Sequence, residues 1–302
     1  MKRWIRPGRL IIFLTIFLVS CNRQTMETPQ IPMLTEPAQT AAPSIGVSLD
    51  TFADMTVVSP QTGQTIQLSG GSYTGGGVDG GILAAGLLPQ AAFGDLNGDD
   101  MDDAVLLLSE NMGGSGVFVS LIVMLNNGDG FNQAGSEMVD DRPLINSVSI
   151  NNGRIILDAV IHAVDDAMVE PTMKVIEEYA VENDQLVLRR FDSTIHEAAR
   201  TIVIETPAEG QEVSGSVQVT GSMPIAAFEN TLVYRIYDEA GIMIDAGAFV
   251  VTAADMGAPA TFDNTLVIPG VVSGSTYRIE LEETSMADGS TLCLNSVEVV
   301  VK

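Results

Sequence analysis

Residues 92–108, AFGDLNGDDMDDAVLLL, carry the side chains best spaced to do chemistry. Asp95, Asn97, Asp99 and Asp103 stand at relative positions 1, 3, 5 and 9, the spacing at which a short wrapping backbone gathers oxygen donors around one hard cation. The Met101 carbonyl would take position 7, and Asp103 would close the site. Five carboxylates between Asp95 and Asp103 repel one another in a folded loop, and a divalent cation would relieve that repulsion directly. The expectation is a structural Ca2+ site. Position 12 is Leu106 instead of a bidentate Glu, and a strand follows where an EF-hand needs a helix. Position 6 is Asp100, which reaches the positive φ required there at some cost.

Other chemistry-bearing residues are less well placed. His162 follows Asp158 by four residues, but in a strand the two would share a face about 13 Å apart, too far for a dyad. His196 stands alone. Neither belongs to a Gly-x-Ser-x-Gly, His-Glu-x-x-His or Cys-His pattern, so no catalytic residue is assigned. Asp165, Asp166 and Glu170 lack ligand spacing and read as a solvated loop. Residues 70–86 are Gly-rich but lack the Gly-Lys-Ser/Thr of a phosphate loop and any nearby basic residue, so they read as a mobile surface loop. Cys293, inside the apolar run TLCLNSVEVVV, reads as a buried structural cysteine.

The elements that must position these residues are strands. Short apolar runs at 55–58, 65–69, 104–108 and 117–125 are bounded by Gly, Asn and Asp. In 117–125, Val117, Val119, Leu121, Val123 and Leu125 face one way while Phe118, Ile122 and Met124 face the other. A strand apolar on both faces is central and covered on both sides. Asn-Gly or Asn-Asp pairs within 125–131, 147–158 and 177–190 predict tight hairpins. Residues 173–179 fit either a strand or a helical turn, which leaves an α+β variant open. Beyond residue 200, seven strand-like runs separated by turn residues predict a small β-sandwich. The fold class is mainly β: an antiparallel β-rich region over 45–195 and a sandwich over 200–302.

The chain has 302 residues and a formal net charge of −25, with 14 basic and 39 acidic side chains. It opens with four basic residues and a ten-residue uncharged run, 10–19, too short to cross a bilayer and suited to a signal-peptide core. Leu18 to Cys21, LVSC, resembles the lipobox of bacterial lipoproteins. That resemblance implies cleavage after residue 20 and acylation of Cys21, with two or three chains giving a stable anchor. Removal of 1–20 takes away four basic and no acidic residues, so the charge becomes 10 − 39 = −29. So negative a chain is a poor partner for nucleic acid. Residues 21–44 are Pro- and Thr-rich and read as a tether reaching roughly 70 Å when extended.

Two further resemblances rest on residues already quoted. AFGDLNGDDMDDAVLL followed by VMLNNGDGF is similar to one FG-GAP or VCBS repeat, a calcium-loop unit of propellers and adhesins; no second copy is present, which argues against a complete propeller. Residues 202–302 resemble the spore-germination immunoglobulin-like domain of envelope lipoproteins, through Ile202, Ile204, Pro207, Gly210, Val213, Val217, Val219, Gly221, Glu229, Arg235, Asp238, Gly241 and the Asp288-Gly289 turn. This resemblance implies an extracytoplasmic Ig-like sandwich without catalytic residues.

Together these features describe a lipid-anchored binding or adhesion-type protein on the extracytoplasmic face of the bacterial cell membrane, with no catalysis. Its expected partners are the membrane through the anchor and a cell-wall glycan or envelope protein, with no nucleic acid. Two alternatives stay open: a cell-wall polymer hydrolase using a carboxylate pair that the sequence does not single out, and an envelope spacer or assembly component with no ligand of its own.

Overall fold

Alternation of side chains along strands decides where each core forms. The computed structural model describes residues 46–255 and 257–302, all within one compact unit, Ala41–Lys302. A single 3-10 turn, Leu49–Phe52, precedes a small hairpin of β1 (Thr56–Val58) and β2 (Thr65–Gln67). Five strands then form an antiparallel sheet in chain order: β3 (Ser72–Gly76), β4 (Ile82–Gly94), β5 (Asp103–Asn111), β6 (Phe118–Asn126) and β7 (Phe131–Asp141). The central strands β5 and β6 are buried on both faces, as their composition requires. Val105, Leu107, Leu121 and Val123 enter one core, while Leu106, Leu108, Ile122 and Met124 enter another. The 3-10 turn and the β1–β2 hairpin cover the second of these. Phe52 stacks on Phe93 at 6.3 Å and meets Phe131 edge-on at 4.7 Å between ring centres.

The first core lies between that sheet and a second one. β8 (Leu144–Asn151), β9 (Arg154–Ile161), β10 (Met173–Glu182) and β11 (Gln185–Ile195) are antiparallel neighbours. Residues 173–179 are therefore strand. The turns between β8 and β9 and between β10 and β11 use Asn152, Gly153, Asn183 and Asp184 at positive φ, as expected of tight hairpins. The Gly-rich stretch 70–86 departs from expectation: it supplies β3 and the first part of the 13-residue β4. Its glycines break the apolar pattern, but the paired backbone, from Ser72↔Gly86 to Gly76↔Ile82, needs no side chains to form a ladder. Where β7 crosses β11, a Cβ at Gly135 would lie 3.0 Å from the Leu186 Cβ and 3.3 Å from its backbone nitrogen. A side chain there would require Leu186 to give by a few tenths of an ångström.

After the short β12 (Ala198–Arg200), the chain builds a sandwich from β13 (Val203–Thr206), β14 (Gln211–Val213), β15 (Ser216–Met223), β16 (Thr231–Tyr237), β17 (Met243–Val250), β18 (Thr252–Ala253), β19 (Ala260–Val267), β20 (Thr276–Thr284) and β21 (Thr291–Val301). A four-stranded sheet, β13-β15-β19-β18, faces the run β17-β16-β20-β21. Val217, Val219, Leu232, Ile236, Ile279, Leu281 and Val299 fill the space between. The fold is thus mainly β, with antiparallel sheets and an Ig-like sandwich at the C-terminal end. The parallel pairing of β14 with β21 is its exception.

The two sandwiches share one wall. β21 pairs with β11 through Arg190↔Asn295 and Phe191↔Leu294, giving a ten-stranded sheet whose main path runs β17-β16-β20-β21-β11-β10-β9-β8. The two cores occupy opposite faces of it: Leu294 joins Phe191 and Leu157 on one side, and Cys293, Val297 and Val299 face the other. At the seam, β11 carries one extra residue. Glu178 pairs with Arg190 and Tyr179 with Leu188, so Arg189 is a bulge. Its side chain, 4% exposed, donates to Glu182 at 2.5 Å and Glu298 at 2.6 Å, and to the Ser296 hydroxyl at 2.9 Å. Arg189→Ala would take the guanidinium from Glu298 and leave Glu182 with the Arg278 Nε at 3.8 Å. Because Glu182 and Glu298 keep some solvent, we expect a loss of about 2 kcal/mol, less than for a fully buried pair. Urea denaturation of the full chain measures it; a loss under about 0.5 kcal/mol would show that the network does not hold the seam.

Candidate functional site

The acidic loop joins β4 to β5, and its side chains turn back onto their own backbone. Asp95 Oδ1 accepts from the amides of Gly98 at 2.7 Å, Asn97 at 3.2 Å and Asp99 at 3.3 Å, while Oδ2 accepts from Asp100 at 3.0 Å. Burial pushes the Asp95 carboxyl up, but these amides outweigh it and hold it below the usual range. Asn97 Nδ2 donates to Asp99 Oδ2 at 3.0 Å, and the Met101 amide donates to Asp99 Oδ1 at 2.9 Å. Asp100 sits at φ 63°, in the left-handed region foreseen for it. Asp103 turns inward and is fully buried, accepting from Leu96 N and Asn126 N at 2.8 Å each. Burial raises its pKa against those two hydrogen bonds, and the charges of Asp99 and Asp95 push the same way.

This donor set fits a hard cation in part. Asn97 and Asp99 are exposed and their side-chain oxygens each accept one hydrogen bond and keep a lone pair, whereas half-buried Asp95 already accepts three amides on Oδ1 and one on Oδ2. Asp103 already ties the start of β5 to the loop and to the end of β6. Among the described residues, no three His, Cys, Asp or Glu side chains converge as a metal cluster. Cys21, the leader expected over 1–20 and the tether expected over 21–44 lie outside the described residues.

A second group of ionisable side chains lies between the sheets. On β10, Val175, Glu177 and Tyr179 alternate onto the inner face, which places Glu177 in the core at 5% exposure. The Tyr179 hydroxyl donates to it at 2.7 Å. Burial, with the charges of Glu137 and Asp140 adding to it and the Tyr179 bond opposing it, lifts the Glu177 carboxyl to about 7. His162 is paired with Asp140 on β7: Nδ1–H donates at 2.7 Å and the His162 amide donates to the same oxygen at 2.6 Å. Asp158 is elsewhere, accepting from Asn146. No hydroxyl or thiol is bonded to His162 Nε2, which has no partner among the described residues. His196 is exposed and lies 3.8 Å from Asp165.

Sequence reasoning missed both pairs for different reasons. Asp140 lies 22 residues from His162 and no local pattern links them. Glu177 was detectable in principle, because Val175, Glu177, Tyr179 and Val181 share one face of a strand. Cys293 is buried as expected, its thiol pushed up by burial and by the neighbouring Glu283.

Residues 201–290 match the immunoglobulin-like domain of bacterial spore germination. The match covers under a third of the chain and spans β13 to the end of β20. It includes Gly221, where a Cβ would fall 2.0 Å from the Val203 carbonyl oxygen, and the Asp288-Gly289 turn, in which Asp288 accepts from Ser290. No curated protein matches the chain.

Glu177 yields a pH prediction. Its folded pKa of about 7 lies above the 4.5 of an ordinary glutamate, so the folded state binds the extra proton between those values. The contribution is full below pH 4.5 and is lost as pH rises through 7, about 3 kcal/mol in all. Glu177→Gln keeps an acceptor for Tyr179 and cannot titrate. Urea midpoints of the variant should exceed the parent's at pH 8 and converge with them near pH 5; parallel pH profiles would remove Glu177 as the cause.

Proposed function

We propose that the chain is a lipid-anchored, non-catalytic binding protein of the bacterial cell envelope, held by an acylated Cys21 and a tether over 21–44. It presents a rigid two-sandwich body on the extracytoplasmic face. The observation that carries this reading is the match of residues 201–290 to an immunoglobulin-like domain, a fold that offers surface and brings no catalytic set with it. The sequence of 1–44 supplies the anchor. Its ligand on this reading is an envelope protein or a cell-wall glycan.

Calcium has a structural role in this proposal. Asp95, Asn97, Asp99 and the Met101 carbonyl would hold the ion, with Asp103 fixing the loop to β5 and β6. Mutual repulsion among the loop carboxylates would fall on binding, and the native state would be stabilised by mass action. Calorimetric titration of the full chain with CaCl2 should give heat that Asp95→Ala and Asp99→Ala each reduce by about tenfold in affinity. No heat, or equal heats in all three proteins, removes calcium from the proposal.

The anchor is tested separately. Cys21→Ser should release the chain from the membrane fraction, and the parent should carry the mass of a diacylglyceryl group on Cys21. A parent without that mass, or a variant that stays membrane-bound, rules the anchor out. A hydrolase is the second reading, favoured by Glu177 near 7 beside Glu137; its position within the core between two sheets is the argument against it.

A further inference from the structure

We propose that the end of the molecule opposite the acidic loop is a docking surface for a protein partner whose contact face is apolar at its centre and basic at its edge. This rests on the binding role above and names the partner class. Strand register assembles the surface. Ile161↔Met173 closes the 162–172 loop over β9 and β10, and Lys174↔Thr194 sets the turn after β11 beside it. The Ser193 hydroxyl, donating to the Leu292 carbonyl at 2.6 Å, brings the start of β21 next in line. Glu283↔Cys293 then leads into the 285–290 turn, and Val233↔Glu282 brings the 226–230 loop alongside. The acidic loop is at the other end, where Gly153 of the β8–β9 turn approaches the Asp95 and Leu96 carbonyls. Phe52 packs there too, against Phe93 and Phe131, so the described chain approaches its body from the acidic end.

Large apolar side chains are presented along this far end. Val164, Met168 and Val169 are 71%, 67% and 76% exposed, Met286 is 69% exposed and Phe228 is 52% exposed. They extend across six neighbouring strands, about 24 Å at ordinary strand spacing. The loops beneath them are tied down. Asp166 accepts from the Ala163 and Thr172 amides at 2.8 and 2.7 Å, and buried Glu283 pairs with Arg200 at 3.0 Å while accepting from the Phe228 amide. Beside Phe228 is a cleft of about 450 Å³ floored by Ala226 and Ala227, large enough for one anchoring side chain. Exposed apolar groups on fixed loops, drawn from both sandwiches, serve no core and mark a contact surface.

Charge selects the occupant. Asp165, Glu170, Glu197, Glu229 and Asp288 are all exposed and lie in the same loops and turns as the apolar groups, Asp165 next to Val164, Glu170 next to Val169 and Glu229 next to Phe228, so a basic rim is complementary and anionic lipid headgroups are repelled. The breadth suits a protein face of roughly 800 Å² better than a single sugar chain, and methionine side chains adapt to such a face.

The test uses the full chain in a zwitterionic detergent and a fluorescent peptide of alternating Leu and Lys at physiological ionic strength. Saturable binding is expected, weakened about tenfold by Val169→Asp and separately by Phe228→Asp. Each variant adds a negative charge, so undirected attraction between a cationic peptide and an acidic chain predicts equal or tighter binding. That outcome overturns the proposal, as does the absence of saturable binding or displacement of the peptide by a neutral oligosaccharide. Val169→Ser, expected to weaken binding by a smaller factor, keeps the test valid should an Asp variant misfold. Mass analysis of Cys21 on the same protein separates the two readings: failed docking with Cys21 acylated sinks the docking surface alone, and intact docking without acylation sinks the anchor alone.

Discussion

The structure depends on a seam only two residue pairs long. β11 and β21 meet through Arg190↔Asn295 and Phe191↔Leu294, and everything about how the two sandwiches share a sheet follows from that contact. So short a ladder fixes little by itself. The bulge at Arg189 adds what the ladder lacks, by sending a guanidinium across the seam to Glu182 on one side and to Ser296 and Glu298 on the other. The network continues outward: Arg278 reaches Glu280 at 2.8 Å and lies 4.0 Å over the Tyr237 ring, and Arg235 pairs with Glu280 and Glu282. Asn183, at the tip of the β10–β11 hairpin, donates to the Glu239 carbonyl. The hairpin thereby covers a charged sheet face with charges of opposite sign, Arg189 against Glu298 and Glu182 against Arg278. Desolvated charges are costly unless mutually paired, so this interface specifies one arrangement more than it adds stability.

Elsewhere the acidic side chains have another task. Asp95, Asp103, Asp166 and Asp238 each accept two or more backbone amides within or beside a loop. Glu110, wholly buried on β5, accepts from the Ser59 hydroxyl and the Gln61 amide and so binds the β1–β2 hairpin to the sheet. Loops between strands leave amide donors without ladder partners, and a carboxylate satisfies several at once. Part of the strong negative charge is thus explained by backbone accounting before any ligand is considered. The acidic loop is ambiguous from sequence for this reason: the same Asx geometry that pre-shapes a cation site also closes a turn.

What was legible in the sequence was whatever one strand states by itself. Residues 117–125 declare two apolar faces, and the strand is buried on both. Asn152-Gly153 and Asn183-Asp184 declare hairpins, and the turns form there with positive φ. Long β4 was hidden because its pairing runs through glycine and alanine, whose backbones make a ladder that hydrophobic periodicity does not report. The seam was hidden because its paired residues, Arg190 with Asn295 and Phe191 with Leu294, are over 100 residues apart. Asp140 with His162 shows the same limit at shorter range. Glu177 differs, since its alternation with Val175 and Tyr179 was visible but its burial depends on a second sheet that the strand does not announce.

The family match bears on this architecture by where it ends. It stops at residue 290, and β21, which joins the sandwiches, begins at Thr291. The matched segment therefore accounts for β13 to β20, while the strand that fuses the sandwich to the rest of the chain, and adds Cys293, Val297 and Val299 to its core, lies just beyond it. Because β21 pairs with β20 along nearly its whole length and with β11 only briefly, it belongs to the sandwich in packing and to the seam in position. The placement of the 162–172 loop beside the 285–290 turn follows from that double membership. A surface drawn from both loops is a property of the fused body, so isolating either sandwich would divide it.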